Sequence, residues 1–339
     1  MRTGHLFAGI DGLGLGLEGH GFEAAWFSEY EAAPSRLLAH HYPDVPNHGD
    51  ITQIDWTQVE PVDALTGGFP CQDISKAGKG AGIKEGTRSG LWFSFADAIR
   101  VLRPRIVIVE NVRALTARGG DIVLADLAGL GFDAWWTTVR ASDVGAAHRR
   151  ERLFIVAVDA DDGGRDGRGS GESATSWDGR EGRFGRSAGA GSVAADGGGG
   201  GLVRGTQQDV GANQPGQQAS RGDDALGHDP AATDADLKGP QRGEPATRRN
   251  VSAWSGSWGE FEPAVRRWES VLGRPAPAPA TDGRLSPEFV EWHMGFPEGW
   301  TAMLSRNERL KALGNAVVPQ VADLVGRWAL ELVEREVAA

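Results

Sequence analysis

Cysteine occurs once in the 339 residues, tyrosine twice and methionine three times. A single thiol, Cys71, excludes an internal disulfide framework and a zinc site built from several thiolates; no metal is expected. It also fits a reducing setting, so a cytoplasmic location is expected. Long apolar runs are missing as well. Stretches such as Ile106-Val107-Ile108-Val109, closed by Arg105 and Glu110, are too short to span a bilayer. The opening Met1-Arg2-Thr3-Gly4-His5-Leu6 lacks the basic start and apolar stretch of a secretory leader, so none is expected. Positive charge is in deficit, with 35 Lys and Arg against 46 Asp and Glu and a net charge of -11. This argues against a generally adhesive nucleic-acid binder. It leaves room for one that concentrates its basic groups on one face.

What remains is enough for a substantial core. Forty per cent of the residues are hydrophobic and 24% charged, and the length suits two domains or one large domain with an insertion. Glycine is concentrated: residues 161–220 hold 18 of the 50, about twice an even share, with little periodic apolar content. That stretch reads as loop-rich or partly disordered. Ahead of it, strand-like runs at 5–8, 22–28, 62–66, 106–110, 132–139 and 153–158 alternate with helical patterns. Leu91, Phe95, Ala98 and Leu102 fall at helical spacing, and 122–130 makes a further short helix. The alternation implies an α/β fold with a mostly parallel sheet covered on both faces. Apolar content returns after residue 250, with Trp254, Trp258, Phe261 and Trp268. A Pro/Ala linker follows at 275–280. Near the end, Val321, Leu324, Val325, Trp328 and Leu332 are expected on one helix face.

Chemistry-bearing residues gather where strands are expected to end. His5-Leu6-Phe7-Ala8-Gly9-Ile10-Asp11-Gly12 reads as a strand entering a tight glycine turn, which lets a ligand approach bare backbone. Glu29 closes the next strand about 20 residues on, where such folds hold ribose hydroxyls. The only match to the pyrophosphate-binding pattern, Gly14-Leu15-Gly16-Leu17-Glu18-Gly19, begins too far after the strand to serve that role. A nucleoside cofactor without a pyrophosphate, such as S-adenosylmethionine, suits the turn better than NAD; an ordinary α/β turn is the alternative. Cys71 follows Gly67-Gly68-Phe69-Pro70 in an irregular turn at the same edge, where a thiol can be accessible and activated. The run Val109-Glu110-Asn111-Val112 brings a carboxylate and an amide there. His148-Arg149-Arg150-Glu151-Arg152 abuts a buried strand, so at least one of its arginines is expected at this edge too.

In that order, Phe7-Ala8-Gly9-Ile10-Asp11-Gly12, Gly68-Phe69-Pro70-Cys71-Gln72, Glu110-Asn111-Val112, His148-x-Arg150-x-Arg152 and Gly314-Asn315-Ala316-Val317-Val318-Pro319 resemble the C5 cytosine-specific DNA methyltransferases. The resemblance implies a Rossmann-like mixed sheet flanked by helices, with a smaller, loop-rich target-recognition domain. Residues 1–158 with 305–339 would form the catalytic and cofactor-binding domain. Residues 159–304 would form the target-recognition region, of which 161–250 is glycine-rich. Cys71 would attack carbon 6 of a flipped cytosine, Glu110 would donate to N3, Asn111 would hold the loop, and Arg150 and Arg152 would stabilise developing charge. S-adenosyl-L-methionine would be bound by Phe7, Ala8, Gly9, Ile10, Gly12, Glu29, Tyr30, Asp50, Ile51, Pro70, Leu91, Asn315 and Val317.

For Tyr30 and Leu91, ordinary core packing is the competing expectation. Asp11 stands where the family often has glycine and is expected to face solvent. His148 stands where glutamine is frequent. Lys76, Lys79 and Arg88 would contact DNA from a mobile loop. Between 161 and 280 there are 14 basic and 17 acidic residues, so base reading would rest on a few well-placed groups. Residues 250–272, with Arg248, Arg249, Arg266 and Arg267, are the best candidates. The implied partner is double-stranded DNA, with a monomer as the expected state and a cognate restriction endonuclease as a functional companion. An RNA cytosine-5 methyltransferase and an inactive DNA-binding relic are the alternatives.

Overall fold

The computed structural model describes residues 1–70, 90–160, 182–184 and 256–337, the segment 182–184 as backbone only. The first half alternates strand and helix: β1 (Arg2–Leu6), α1 (Gly12–Leu17), β2 (Glu23–Ser28), α2 (Ala32–His41), β3 (Ala64–Gly68), α3 (Leu91–Leu102), β4 (Ile106–Asn111) and α4 (Gly120–Gly129). Then come β5 (Phe132–Arg140), β6 (Glu151–Asp159) and β7 (Gly182–Phe184). The last part holds α5 (Glu262–Leu272), a short hairpin of β8 (Ala280–Thr281) and β9 (Arg284–Leu285), α6 (Pro287–His293), α7 (Arg306–Asn315) and α8 (Pro319–Val337).

Seven strands form one sheet in the order β2-β1-β3-β4-β6-β5-β7. The expectation of a mostly parallel sheet holds for β2-β1-β3-β4; from β4 onward the pairings to β6, β5 and β7 are antiparallel. Central strands are near-continuous apolar runs because both faces are covered. On one face Leu65, Val107, Val109 and Ile155 pack under α3 and α4. On the other, Ile106, Ile108, Phe154 and Val156 share a core with Leu13 and Leu17 of α1, Val321 and Val325 of α8, and Trp268 and Trp292 of α5 and α6.

Three sequence expectations shift. The first strand ends at Leu6 and not at Ala8, because Phe7 takes a left-handed φ of 52° that no strand accommodates. The third runs two residues later than expected, to Gly68. In α8, Leu324 is 38% exposed, whereas Val321, Val325 and Leu332 are buried. The buried arc also takes in Ala322, Ala329 and Val333, and at 100° per residue Leu324 stands about 120° from its centre.

The glycines of α1 explain themselves by packing. A Cβ on Gly16 would lie 2.1 Å from the Pro319 carbonyl oxygen and 2.4 Å from the Ala322 Cβ; one on Gly12 would lie 2.2 Å from the Val317 carbonyl oxygen. Gly12 and Gly16 therefore form a surface against which the residues that open α8 are seated. Replacing Gly16 with Ala should destabilise the fold by about 1–3 kcal/mol through overpacking against backbone that cannot withdraw. Denaturant titration checks this, and an unchanged midpoint would contradict the close packing.

Candidate functional site

The carboxyl ends of β1, β2, β3 and β4 meet along one edge of the sheet, where loops leave in the pattern typical of ligand sites. After β1 the chain turns through Phe7 and Gly9 (φ 56°) to Asp11 (φ 60°) and enters α1. Glu29, at the end of β2, holds this turn: its Oε2 accepts from the Gly9 amide at 2.8 Å and its Oε1 from the Glu31 amide at 2.7 Å. Burial pushes the Glu29 carboxyl above the usual carboxylate range, opposed by those two amide bonds. Asn47 completes the arrangement by accepting from the Glu29 amide at 2.9 Å and donating to the Glu29 carbonyl at 3.0 Å. Its side-chain amide thus does for Glu29 what a neighbouring strand would.

Around this turn Tyr30 is 70% exposed, so core packing is ruled out for it; Leu91 is half-buried against the first core. Asp50 is exposed and caps a 3-10 turn through the Thr52 amide at 2.9 Å. Ile51 and Ile10 are buried core side chains, while Phe7, Ala8, Pro70 and Val317 are half-buried and Asn315 is exposed. Val317 reaches the turn through its backbone beside Gly12.

Asp11 departs from expectation: it is 2% exposed and does not face solvent. Its left-handed backbone turns the carboxylate inward to cap α1, accepting from the Gly14 amide at 3.2 Å. Gly14 leaves room for it, since a Cβ there would sit 2.3 Å from Asp11 Oδ1. The Tyr42 hydroxyl, which donates to Glu18 Oε1 at 3.2 Å, is near enough to influence it, and His5 Nδ1 lies 3.8 Å away. Burial raises the Asp11 carboxyl to about 7 and lowers the His5 imidazole to about 4.

The second half of the edge lies where β4 meets β6. Glu110 Oε1 pairs with Arg152 Nε at 2.9 Å, both largely buried. Burial raises the Glu110 carboxyl above its ordinary range, with Arg152 and Arg150 pulling the other way. Gly68 gives this carboxylate space, because a Cβ there would lie 2.5 Å from Glu110 Oε2. Asn111 donates from Nδ2 to the Phe69 carbonyl at 3.0 Å, tying the end of β3 to that of β4. Arg150 is buried and donates to the Gly314 carbonyl at 3.0 Å. The structure therefore gathers Glu110, Asn111, Arg150 and Arg152. Cys71, Lys76, Lys79 and Arg88 lie outside the described residues, as do Trp254, Arg248, Arg249 and most of the glycine-rich stretch.

His148 keeps its proton on one nitrogen. The Arg150 amide donates to Nδ1 at 3.4 Å, and Nε2 lies 3.1 Å from the His293 carbonyl, so the proton sits on Nε2. Burial, with His293 and Arg150 nearby, lowers this imidazole to about 3. A neutral ring with one donor and one acceptor offers what a glutamine amide offers. Of the proposed base-reading residues, Arg266 pairs with Glu262 and Glu269, Arg267 donates to the Gly145 carbonyl, and Trp268 is core.

Sequence reasoning missed Trp300, which donates from Nε1 to the Ile10 carbonyl at 2.9 Å and stacks on His41 with ring centroids 3.6 Å apart. Its neighbours Pro297 and Gly299 signal a turn and nothing about a partner 290 residues away.

Comparison with known proteins places this edge in a family. The C-5 cytosine-specific DNA methylase profile matches residues 1–175, and the chain belongs to that family. Among its relatives, the Type II methyltransferase M.NgoBI of Neisseria gonorrhoeae is 35% identical over 159 residues, covering 46% of this chain and 50% of that one. M.Eco47II of Escherichia coli is 36% identical over 160 residues, covering 45% of this chain and 38% of that one. M.CviJI of Paramecium bursaria Chlorella virus IL3A is 36% identical over 166 residues, covering 48% and 44%. The matched part thus spans half or less of the length of these relatives. A crystal structure assigned as a DNA modification methyltransferase encoded within an E. coli prophage shares the fold at a TM-score of 0.54 and 18% identity. That alignment covers 98% of this chain and 99% of that one.

The buried Asp11 makes a pH test possible. A carboxyl whose folded value exceeds its unfolded one favours the folded state at low pH and loses that contribution as pH rises towards its folded value, here about 7. Asp11→Asn keeps the cap and the left-handed backbone without the charge. Its melting temperature should exceed that of the natural chain at pH 8, with the gap shrinking towards pH 5. A pH-independent difference in thermal melting would contradict the buried ionisation.

Proposed function

We propose that the chain is a DNA cytosine-5 methyltransferase that uses S-adenosyl-L-methionine and works on a cytosine flipped out of duplex DNA. The observation that carries this reading is the Glu110–Arg152 pair at the strand edge that leads into Cys71. The cofactor reading is supported by the chemistry of the turn. Gly9 has open space where a Cβ would stand, Glu29 is fixed by two amides, Asp50 is exposed, and Tyr30 offers a free ring face beside the half-buried Phe7, Leu91 and Val317. Carboxylates without a basic side chain in that set suit a cationic nucleoside better than a pyrophosphate.

Phe7, Gly9, Ile10 and Gly12 would face the methionine end, Glu29 the ribose, and Tyr30, Asp50 and Ile51 the adenine. Pro70, Leu91, Asn315 and Val317 would close the pocket. When bound, S-adenosylmethionine supplies an electrophilic methyl group for carbon 5. The Cys71 thiolate forms a bond from Sγ to carbon 6, which breaks the aromaticity of the ring and makes carbon 5 nucleophilic. Charge gathering at N3 is met by the proton of Glu110, whose burial favours the protonated form. Arg150 and Arg152 stabilise the charged ring and keep Glu110 oriented. Loss of the carbon 5 proton and of the thiolate then restores the aromatic ring and frees Cys71.

Residues 1–158 with 305–339 would be the catalytic and cofactor-binding part and 159–304 the target-recognition part. Duplex DNA is the proposed substrate, with Lys76, Lys79 and Arg88 on its backbone, and a cognate restriction endonuclease the proposed companion. Cys71→Ser should abolish transfer of labelled methyl groups to duplex DNA while the chain still binds S-adenosylmethionine in calorimetry. Glu110→Gln should lower kcat by about 10²–10⁴-fold, the usual loss of a general acid. Undiminished turnover in Cys71→Ser contradicts the mechanism, and label on RNA alone would move the substrate to RNA.

A further inference from the structure

Glu151 has no part in the reaction proposed above. It opens β6 between Arg150 and Arg152 and meets arginines from two other elements. Arg113 Nη1 lies 3.4 Å from its Oε2, and Arg140 Nε lies 3.4 Å from its Oε1. Arg113 begins the 3-10 turn Arg113–Ala117 just after β4, and Arg140 ends β5 directly opposite Glu151 in the ladder. Successive strand residues point to opposite faces, so Glu151 faces away from Arg152. The cores agree: Leu153 and Ile155 belong to one, Phe154 and Val156 to the other. The Glu110–Arg152 pair and the Arg113–Glu151–Arg140 group therefore flank one strand end from its two sides.

This group is a poor structural staple. The arginine side chains are 64% and 55% exposed, and loose surface pairs add little to stability. Two cations share one carboxylate, and the exposed Arg149 precedes Glu151 by two residues in the chain. Asp143 accepts from the Arg140 amide and is the other nearby acid. In a chain of net charge -11, this is a local concentration of arginine. Forked guanidinium donors suit a phosphate as they suit a carboxylate. Extruding a base carries its flanking phosphates to the edge that receives it. Glu151 and Arg152 have Cα atoms about 3.8 Å apart, well within an arginine's reach.

We propose, on the footing of the DNA reading above, that Arg113 and Arg140 clamp the phosphate backbone of the flipped nucleotide, and that Glu151 holds them until DNA displaces it. The clamp supplies affinity and register without reading bases.

The test measures binding of the full chain to a fluorescein-labelled mixed-sequence duplex by anisotropy, across about 50–200 mM salt. Arg113→Ala/Arg140→Ala should lower the log–log salt slope by about 2, near 0.9 for each phosphate contact, and weaken binding to all duplexes alike. Glu151→Gln, which removes the competing anion, should tighten binding several-fold at low salt. A wild-type slope in the double variant, or unchanged or weaker binding by Glu151→Gln, overturns the clamp. So does failure of the double variant to fold, because the clamp makes both side chains dispensable to the fold. A natural chain that neither binds nor methylates duplex DNA overturns the DNA reading itself, and the clamp with it. That outcome is distinct from one in which the natural chain works and the double variant matches it.

Discussion

The close approach of backbone to backbone between α1 and the residues that open α8 is the constraint on which this molecule rests. With no side chains at Gly12 and Gly16, the Val317 and Pro319 carbonyls come into contact with the first helix. Chain segments some three hundred residues apart thereby become one wall. The same seating sets Gly314 where Arg150 can donate to its carbonyl, and Trp300 closes the gap from another side through the Ile10 carbonyl. One packing event thus links the glycine turn to Arg150, which stands beside the acid–arginine pair held by β4 and β6. Neither half of the edge is complete from its local sequence.

Electrostatically the two halves are tuned in one direction. Glu29, Asp11 and Glu110 are buried carboxyls, all raised by desolvation, and each is restrained by donors aimed at it. Backbone amides do this for Glu29, the amide of Gly14 for Asp11, and guanidinium groups for Glu110. A carboxyl balanced between burial and a cation holds or releases a proton with little reorganisation.

Much of the fold was legible in the sequence because its signals are local. Strands β2 and β4 to β6 show as dense apolar runs, α3 as a helical stripe, and the glycine turn as a break after the first strand, though the sequence suggests that strand to Ala8 and the structure ends it at Leu6. The block around Glu110 reads as a strand end at that edge, whereas the Arg150 and Arg152 block precedes its strand and reaches the same edge because β6 runs antiparallel to β4. What was not legible depended on distant partners. Asp11 looked like a charge on a turn, and only its left-handed backbone and the space at Gly14 show it to be an internal cap. Leu324 carries an apolar side chain but faces outward, because the α8 contact arc is set by α1 and the sheet. Trp300 and Asn47 act through backbone groups far along the chain, for which periodicity carries no signal.

The reversal of direction at β6 has a consequence of its own. Because β6 runs against β4, its first residues and not its last ones lie beside Glu110, and it finishes level with the start of β4, where Val158 faces Ile106. The polypeptide therefore leaves the sheet after Asp159 from the margin remote from the acid–arginine pair. Segments of very different length can begin at that exit while the reacting edge stays in place. A scaffold wired this way can take an insertion just after Asp159 while Glu110 and Arg152 keep their places at the opposite margin.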